Sequence, residues 1–156
     1  MKRLLPLAVL VGLTVTLCAQ HGVRASGTES ADAVSPVGED ELGRVSENWK
    51  EAYNSGDADR VASLYREDGH YLSAHVAAHG REAIRAYFQR GIDAGGHVDA
   101  IHVIEARSGG GLAYALGTYE ATNAGRKVDG RILLVLEKRD GRWLIAAHEV
   151  VVRDQP

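Results

Sequence analysis

His148 sits between Ala147 and Glu149 in an otherwise apolar stretch. An imidazole there could act as a general base near neutral pH if Tyr71 or Ser73 oriented it, or be a hydrogen-bonded core side chain. Ser73 with a histidine nearby has the makings of a nucleophile and its base. No carboxylate stands out to orient the pair, and no glycine-rich elbow supports an oxyanion hole. His75 and His79 are four residues apart but flank a turn, so the spacing does not aim both rings at one ion. With His70, His102 and His148 a metal site is conceivable; none is assigned. The only cysteine is Cys18, which leaves the rest of the chain without a disulfide, a Cys-ligated zinc or a thiol nucleophile. Gly109 to Gly111 opens a hairpin rather than a helix, so it is neither a phosphate loop nor a dinucleotide fingerprint. No flavin or nicotinamide motif and no redox thiol are present, and no cofactor is expected.

The elements that would position these residues follow from periodicity. Asp40 can cap a first helix with Leu42, Val45, Trp49, Ala52 and Tyr53 on one face, ended by Asn54, Ser55 and Gly56. Asp57 caps a shorter second helix presenting Val61, Leu64 and Tyr65. His70 to His75 alternates as a short strand, His79 and Gly80 turn the chain, and Ile84, Tyr87, Phe88, Gly91 and Ile92 mark the inner face of a third helix. The period then changes to two. Strands are expected near 98–106, 112–122, 128–138 and 143–152, joined by turn signals at Gly109 to Gly111, Asn123 to Gly125, and Asp140 with Gly141. Three helices followed by an antiparallel meander is an α+β order, in which the helices must cover one face of the sheet.

At 156 residues the chain has room for one ordinary domain. Lys2 and Arg3 precede an uncharged run from Leu4 to Leu17 that turns polar at Gln20 and His21, the layout of an export signal. The run is short for a bilayer span and is interrupted by Pro6. Val23 and Ala25 suit cleavage before Ser26, so residues 1–25 are read as a signal peptide and the protein as exported, periplasmic or secreted. Cys18 offers the alternative of a lipoprotein, although Leu17 stands where such sites want a small residue. Removing residues 1–25 takes away Lys2, Arg3 and Arg24, leaving 15 basic against 21 acidic residues, a net charge of −6. Such a surface makes nucleic acid a poor partner. Residues 26–39 are mainly small or acidic and read as a flexible leader. The domain is expected over 40–153.

Three separated segments then point to a family. "NWKEAYNSGDADRVASLYREDGHYL" (48–72), "HGREAIRAYF" (79–88) and "LEKRDGRWLIAAHEVV" (136–151) resemble the SnoaL-like and SgcJ/EcaC-like branch of the nuclear transport factor 2-like superfamily. The resemblance covers about Glu41 to Val152. It implies a cystatin-like cone, with three N-terminal helices packed on a curved, mostly antiparallel sheet around one pocket. It also implies a homodimer through the outer sheet face. Relatives include ketosteroid isomerases, cyclases and dehydratases; in ketosteroid isomerase a carboxylate base works with a tyrosine and a protonated acid. Aligned on Gly56 with Asp57, Gly80 with Arg81 and the final turn, those positions hold Ser73, Trp49 and Ile132 here. Ketosteroid isomerase chemistry is therefore not expected. Tyr65 matches a supporting tyrosine, whereas Phe88 replaces another and lacks its hydroxyl.

The same alignment puts Trp49 and Tyr53, then Tyr71, Ser73 and His75, then Tyr114, Leu116 and Thr118, then Ile132 and Leu134, and finally His148 on the pocket wall. Such an aromatic and aliphatic cup suits a small apolar metabolite. The helix aromatics could equally fill a core. Three functions stay open: an exported binding module with no assigned reaction, an isomerase, cyclase or dehydratase with a histidine base, and a non-catalytic dimerisation or interaction domain.

Overall fold

The computed structural model describes residues 39–153. The proposed signal peptide, Cys18 and all of the leader but Glu39 lie outside the described residues. Helix α1 (Glu39–Asn54) is already running at Glu39, so Asp40 falls inside it rather than at its cap. Leu42, Val45, Trp49, Ala52 and Tyr53 are buried, as their three-and-four spacing requires. The helix closes with a Schellman motif. Gly56, at φ 79°, donates to the Tyr53 carbonyl while Asp57 N–H reaches the Ala52 carbonyl. Asn54 then clips the helix end to the sheet, its side chain both donating to and accepting from the Val98 backbone at 2.8 Å.

Helix α2 (Ala58–Ser63) starts where the Asp57 side chain accepts from Arg60 N–H. It is shorter than its spacing suggests. Tyr65 belongs not to α2 but to strand β1 (Tyr65–Leu72), which begins five residues before the expected start at His70. The cause is tertiary: Tyr65 pairs in parallel with Ile145, and Ile145 N–H donates to the Leu64 carbonyl. Sheet pairing overrides a helical pattern that only local spacing supported. Strand β1 ends at Leu72, so Ser73 and His75 lie in the bend before strand β2 (Ala77–His79). Helix α3 (Arg81–Asp93) follows, with Ile84 and Phe88 buried.

Four long strands complete the fold: β3 (His97–Gly109), β4 (Leu112–Asn123), β5 (Arg126–Arg139) and β6 (Arg142–Val152). The six-stranded sheet has the order β2-β1-β6-β5-β4-β3 and is antiparallel except between β1 and β6. Pairing of β3 with β4 shifts register between Val98 and Ala100 and again between Val103 and Glu105. Such bulges bend a strand and raise its local twist. The helices lie on one side of the sheet, and the core joins Leu42, Trp49, Ile84 and Phe88 to Ile132, Leu134, Leu136 and Ile145 on its inner face.

Each of the three hairpins among these four long strands uses a two-residue turn with positive φ at both positions: Gly110 and Gly111, Ala124 and Gly125, and Asp140 and Gly141. This is the sign pattern of the type I′ turn, whose twist matches the strands. Ala124 is the misfit, since a left-handed backbone crowds a methyl group at φ 46°. Ala124→Asn is expected to raise the unfolding free energy by about 1 kcal/mol, read as a higher urea midpoint with an unchanged slope.

One strand faces opposite to expectation. On β4 the buried positions are Ala113, Ala115, Gly117 and Ala121, whereas Tyr114, Leu116 and Thr118 point outward. Register settles it: Ala115 pairs with Leu134 and Gly117 with Ile132, the inward residues of β5. The large interior rings leave room only for small side chains on this part of the sheet, so β4 turns its bulkier set to the other face.

Candidate functional site

His148 reaches the interior from β6, opposite Leu134 of β5, and is 1% exposed. Its Nδ1 lies 2.6 Å from the Tyr65 hydroxyl, which accepts the Trp49 indole N–H at 3.1 Å. Helix α1 supplies the tryptophan, the bulged start of β1 the tyrosine, and β6 the histidine. Trp49 and Tyr71 both meet the imidazole edge to face, with centroids 5.2 Å and 5.1 Å away. Phe88 from α3 packs against Trp49, Tyr53, Tyr65 and Tyr71.

The protons in this chain can be assigned by elimination. Trp49 Nε1 can only donate, so the Tyr65 oxygen accepts and its own O–H is free to donate to His148 Nδ1. The imidazole proton then sits on Nε2. The opposite tautomer would leave both the tyrosine O–H and the Nε2 lone pair without partners, a costlier arrangement in a buried setting. In the favoured arrangement one group stays unpaired: Nε2 is buried and has no hydrogen-bond partner among the described residues.

Burial also sets the charge. Desolvation lowers the His148 pKa to about 3, so the ring is neutral at physiological pH. Burial likewise raises the pKa values of Tyr65 and Tyr71, and that of Tyr53 with a smaller contribution from Tyr87, keeping these phenols protonated. A histidine this reluctant to take a proton is a weak base at pH 7 but a good uncharged donor.

The other expected wall residues divide. Tyr71, Ile132 and Leu134 are buried. Tyr53 is stacked on Trp49 at 5.5 Å, its hydroxyl lodged against Gly91 and Gly96 at the end of α3. Ser73 and His75 do not line the interior, because the strand that would have carried them inward stops at Leu72; His75 is exposed and Ser73 half-buried. Tyr71 touches the His148 ring, but neither it nor Ser73 supplies the orienting hydrogen bond. Tyr65 does, a role the sequence signals only through its match to a supporting tyrosine of the related isomerases. Tyr114, Leu116 and Thr118 lie on the outer face, where the Tyr114 hydroxyl donates to Glu105.

The histidines are dispersed. His148 is inside, His102 is exposed on β3 and His75 lies in the bend, while His70 and His79 meet across β1 and β2. Among the described residues no group of three or more His, Cys, Asp or Glu is placed to hold a metal ion.

With this geometry in view, the comparisons are consistent. The SnoaL-like domain model matches residues 46–145, and the chain belongs to that family. A protein of unknown function with a cystatin-like fold from Nostoc punctiforme superposes with a TM-score of 0.68 at 13% identity, covering 78% of this chain and 96% of that one. A ketosteroid isomerase-like protein from Erwinia carotovora atroseptica gives 0.66 at 18% identity, over 74% and 96% of the two chains. A nuclear transport factor 2-like protein with a cystatin-like fold from Novosphingobium aromaticivorans gives 0.63 at 18% identity, over 75% and 82%. At such identities the likeness fixes the fold alone. No curated protein matches the sequence.

Proposed function

We propose that this is an exported small-molecule-binding domain whose interior recognises a compact, mainly apolar compound through one hydrogen bond from His148 Nε2–H. The observation that carries it is the buried Nε2, which has no hydrogen-bond partner among the described residues. A buried donor left unmade costs about 1–3 kcal/mol, and a bound carbonyl or ether oxygen would recover that. The surrounding rings of Trp49, Tyr71 and Phe88 offer the apolar wall that such sites use. The N-terminal charge and hydropathy pattern supports export.

An isomerase, cyclase or dehydratase with His148 as base is less well supported, since a group with a pKa near 3 is poorly matched to proton abstraction at neutral pH. One observation favours a further, compatible reading as a homodimer through the outer sheet face. Leu116 pairs with Leu133, and Val135 and Val151 lie on the same outward side; Leu133 is 36% and Val151 49% exposed.

Native mass spectrometry of the protein purified from its own host, beside a denatured run, tests both. The expected result is one released compound per chain, lost in His148→Phe, which keeps a ring but removes the donor. Circular dichroism confirms that the variant is folded. A wild-type mass with no added compound would remove the binding reading, and a monomer would remove the dimer.

A further inference from the structure

His70 and His79 face each other across β1 and β2, outside the interior site. Their hydrogen-bond setting fixes how close they come. Gly80 N–H donates to the Gly69 carbonyl at 2.8 Å, and Ser73 N–H to the Val76 carbonyl at 2.8 Å. Bonded pairs alternate along an antiparallel ladder, so positions 69 and 80 form a bonded pair and positions 70 and 79 a non-bonded one. In non-bonded pairs the two Cα atoms approach to about 4.5 Å and the side chains are nearest. The imidazoles accordingly stack with centroids 4.5 Å apart and planes 21° from parallel.

Both rings are exposed. The β1 to β2 connection is a tight one, closed by the Ser73 to Val76 bond, so the two backbones are already held at this spacing. Asp68, two residues before His70 on the same exposed side of β1, is a carboxylate neighbour of His79. Its Oδ2 accepts from Arg66 Nη2 at 2.7 Å, which leaves it a neighbouring negative charge rather than a free ligand.

We propose that His70 and His79 form a two-imidazole site for a divalent transition-metal ion on the β1–β2 edge of the sheet. Small side-chain rotations bring one nitrogen of each ring to the bond length of about 2.0–2.1 Å that imidazole makes to such ions. Imidazole ligands select copper, nickel and zinc over magnesium or calcium. The remaining positions are filled by water, since among the described residues no third protein ligand is placed to join. Two ligands on adjacent strands bind one ion more tightly than either alone, since the fold has already brought them together. The bound ion would clip the three-residue strand β2 to β1 without touching the interior.

The test is calorimetric titration of the untagged protein with Cu²⁺ and, separately, Ni²⁺, in the wild type and in His70→Gln, His79→Gln, His75→Gln and His102→Gln. All four side chains are exposed, so the fold is retained, as circular dichroism can verify. One ion per chain is expected, copper tighter than nickel, with affinity falling about tenfold in each of the first two variants. The other two should match the wild type. Copper electron paramagnetic resonance should show two equatorial imidazole nitrogens in the wild type and one in His70→Gln or His79→Gln. Absence of binding overturns the site. So does a loss of less than about threefold in either variant, or a comparable loss in His75→Gln or His102→Gln.

Discussion

Between pH 8 and pH 5 the protein is expected to lose about 2 kcal/mol of stability through His148 alone. The unfolded chain carries this histidine near its ordinary pKa of 6.5, whereas the folded state holds it near 3. Above 6.5 both states are neutral and the contribution is fully present. Below it the unfolded state takes up a proton that the folded state refuses, and stability falls by about 1.4 kcal/mol per pH unit until the folded pKa is reached. Carboxylates begin to titrate lower, so pH 8 to 5 isolates the effect well. The measurement is urea unfolding at both pH values in the wild type and in His148→Gln, which keeps an acceptor for Tyr65 but does not titrate. The other histidines are common to both proteins and cancel in the difference. Equal pH dependence in the two would show that His148 is not held neutral by burial.

Tyr65→Phe is expected to be still more costly, at about 3 kcal/mol. One hydroxyl satisfies two buried partners, accepting from Trp49 Nε1 and meeting His148 Nδ1. Removing it leaves both buried without that partner, and a buried polar group left unmade costs about 1–3 kcal/mol. Tyr71→Phe is the control. Among the described residues the Tyr71 hydroxyl has the Tyr87 hydroxyl as its hydrogen-bond partner, at 3.4 Å, beyond the usual length for two hydroxyls, so its loss should cost about 1 kcal/mol or less. Denaturant midpoints of the two variants decide the matter, and similar values would dissolve the three-residue chain as an energetic unit.

The sequence was most legible where local chemistry and global structure agree. The buried stripe of α1 follows from its three-and-four spacing, and the three two-residue turns from their glycines, because both signals act within a few residues. Tyr65 shows the opposite case. Its spacing from Val61 and Leu64 continues a helix, and only Ile145, 80 positions later in the chain, recruits it to the sheet. The orientation of β4 failed for a related reason. Placing Tyr114, Leu116 and Thr118 inward follows from the family alignment, which agrees with the ordinary preference for bulky apolar residues inside. The rings brought in by α1 and α3 instead leave space for Ala113, Ala115 and Gly117. His148 was legible as a candidate buried polar residue, but Tyr71 or Ser73 was expected to orient it and Tyr65 was signalled only by its match to a supporting tyrosine, since nothing local links positions 65 and 148. His70 and His79 were named together only within a conceivable five-histidine site, and their pairing across β1 and β2 was not legible, as a turn was expected where β2 forms.

The irregular pairing of β3 matters beyond the shape of the sheet. Its outer side pairs with no strand among the described residues, and a long open edge with Val103 and Ile104 exposed would ordinarily template fibril growth from a neighbouring molecule. The bulges at Val98/Ala100 and Val103/Glu105 interrupt the hydrogen-bonding rhythm that an incoming strand would need. A foreign chain could match only short runs, residues 100–103 between the bulges or 105–109 beyond them, rather than the whole thirteen-residue strand, so the two irregularities work against edge-to-edge aggregation.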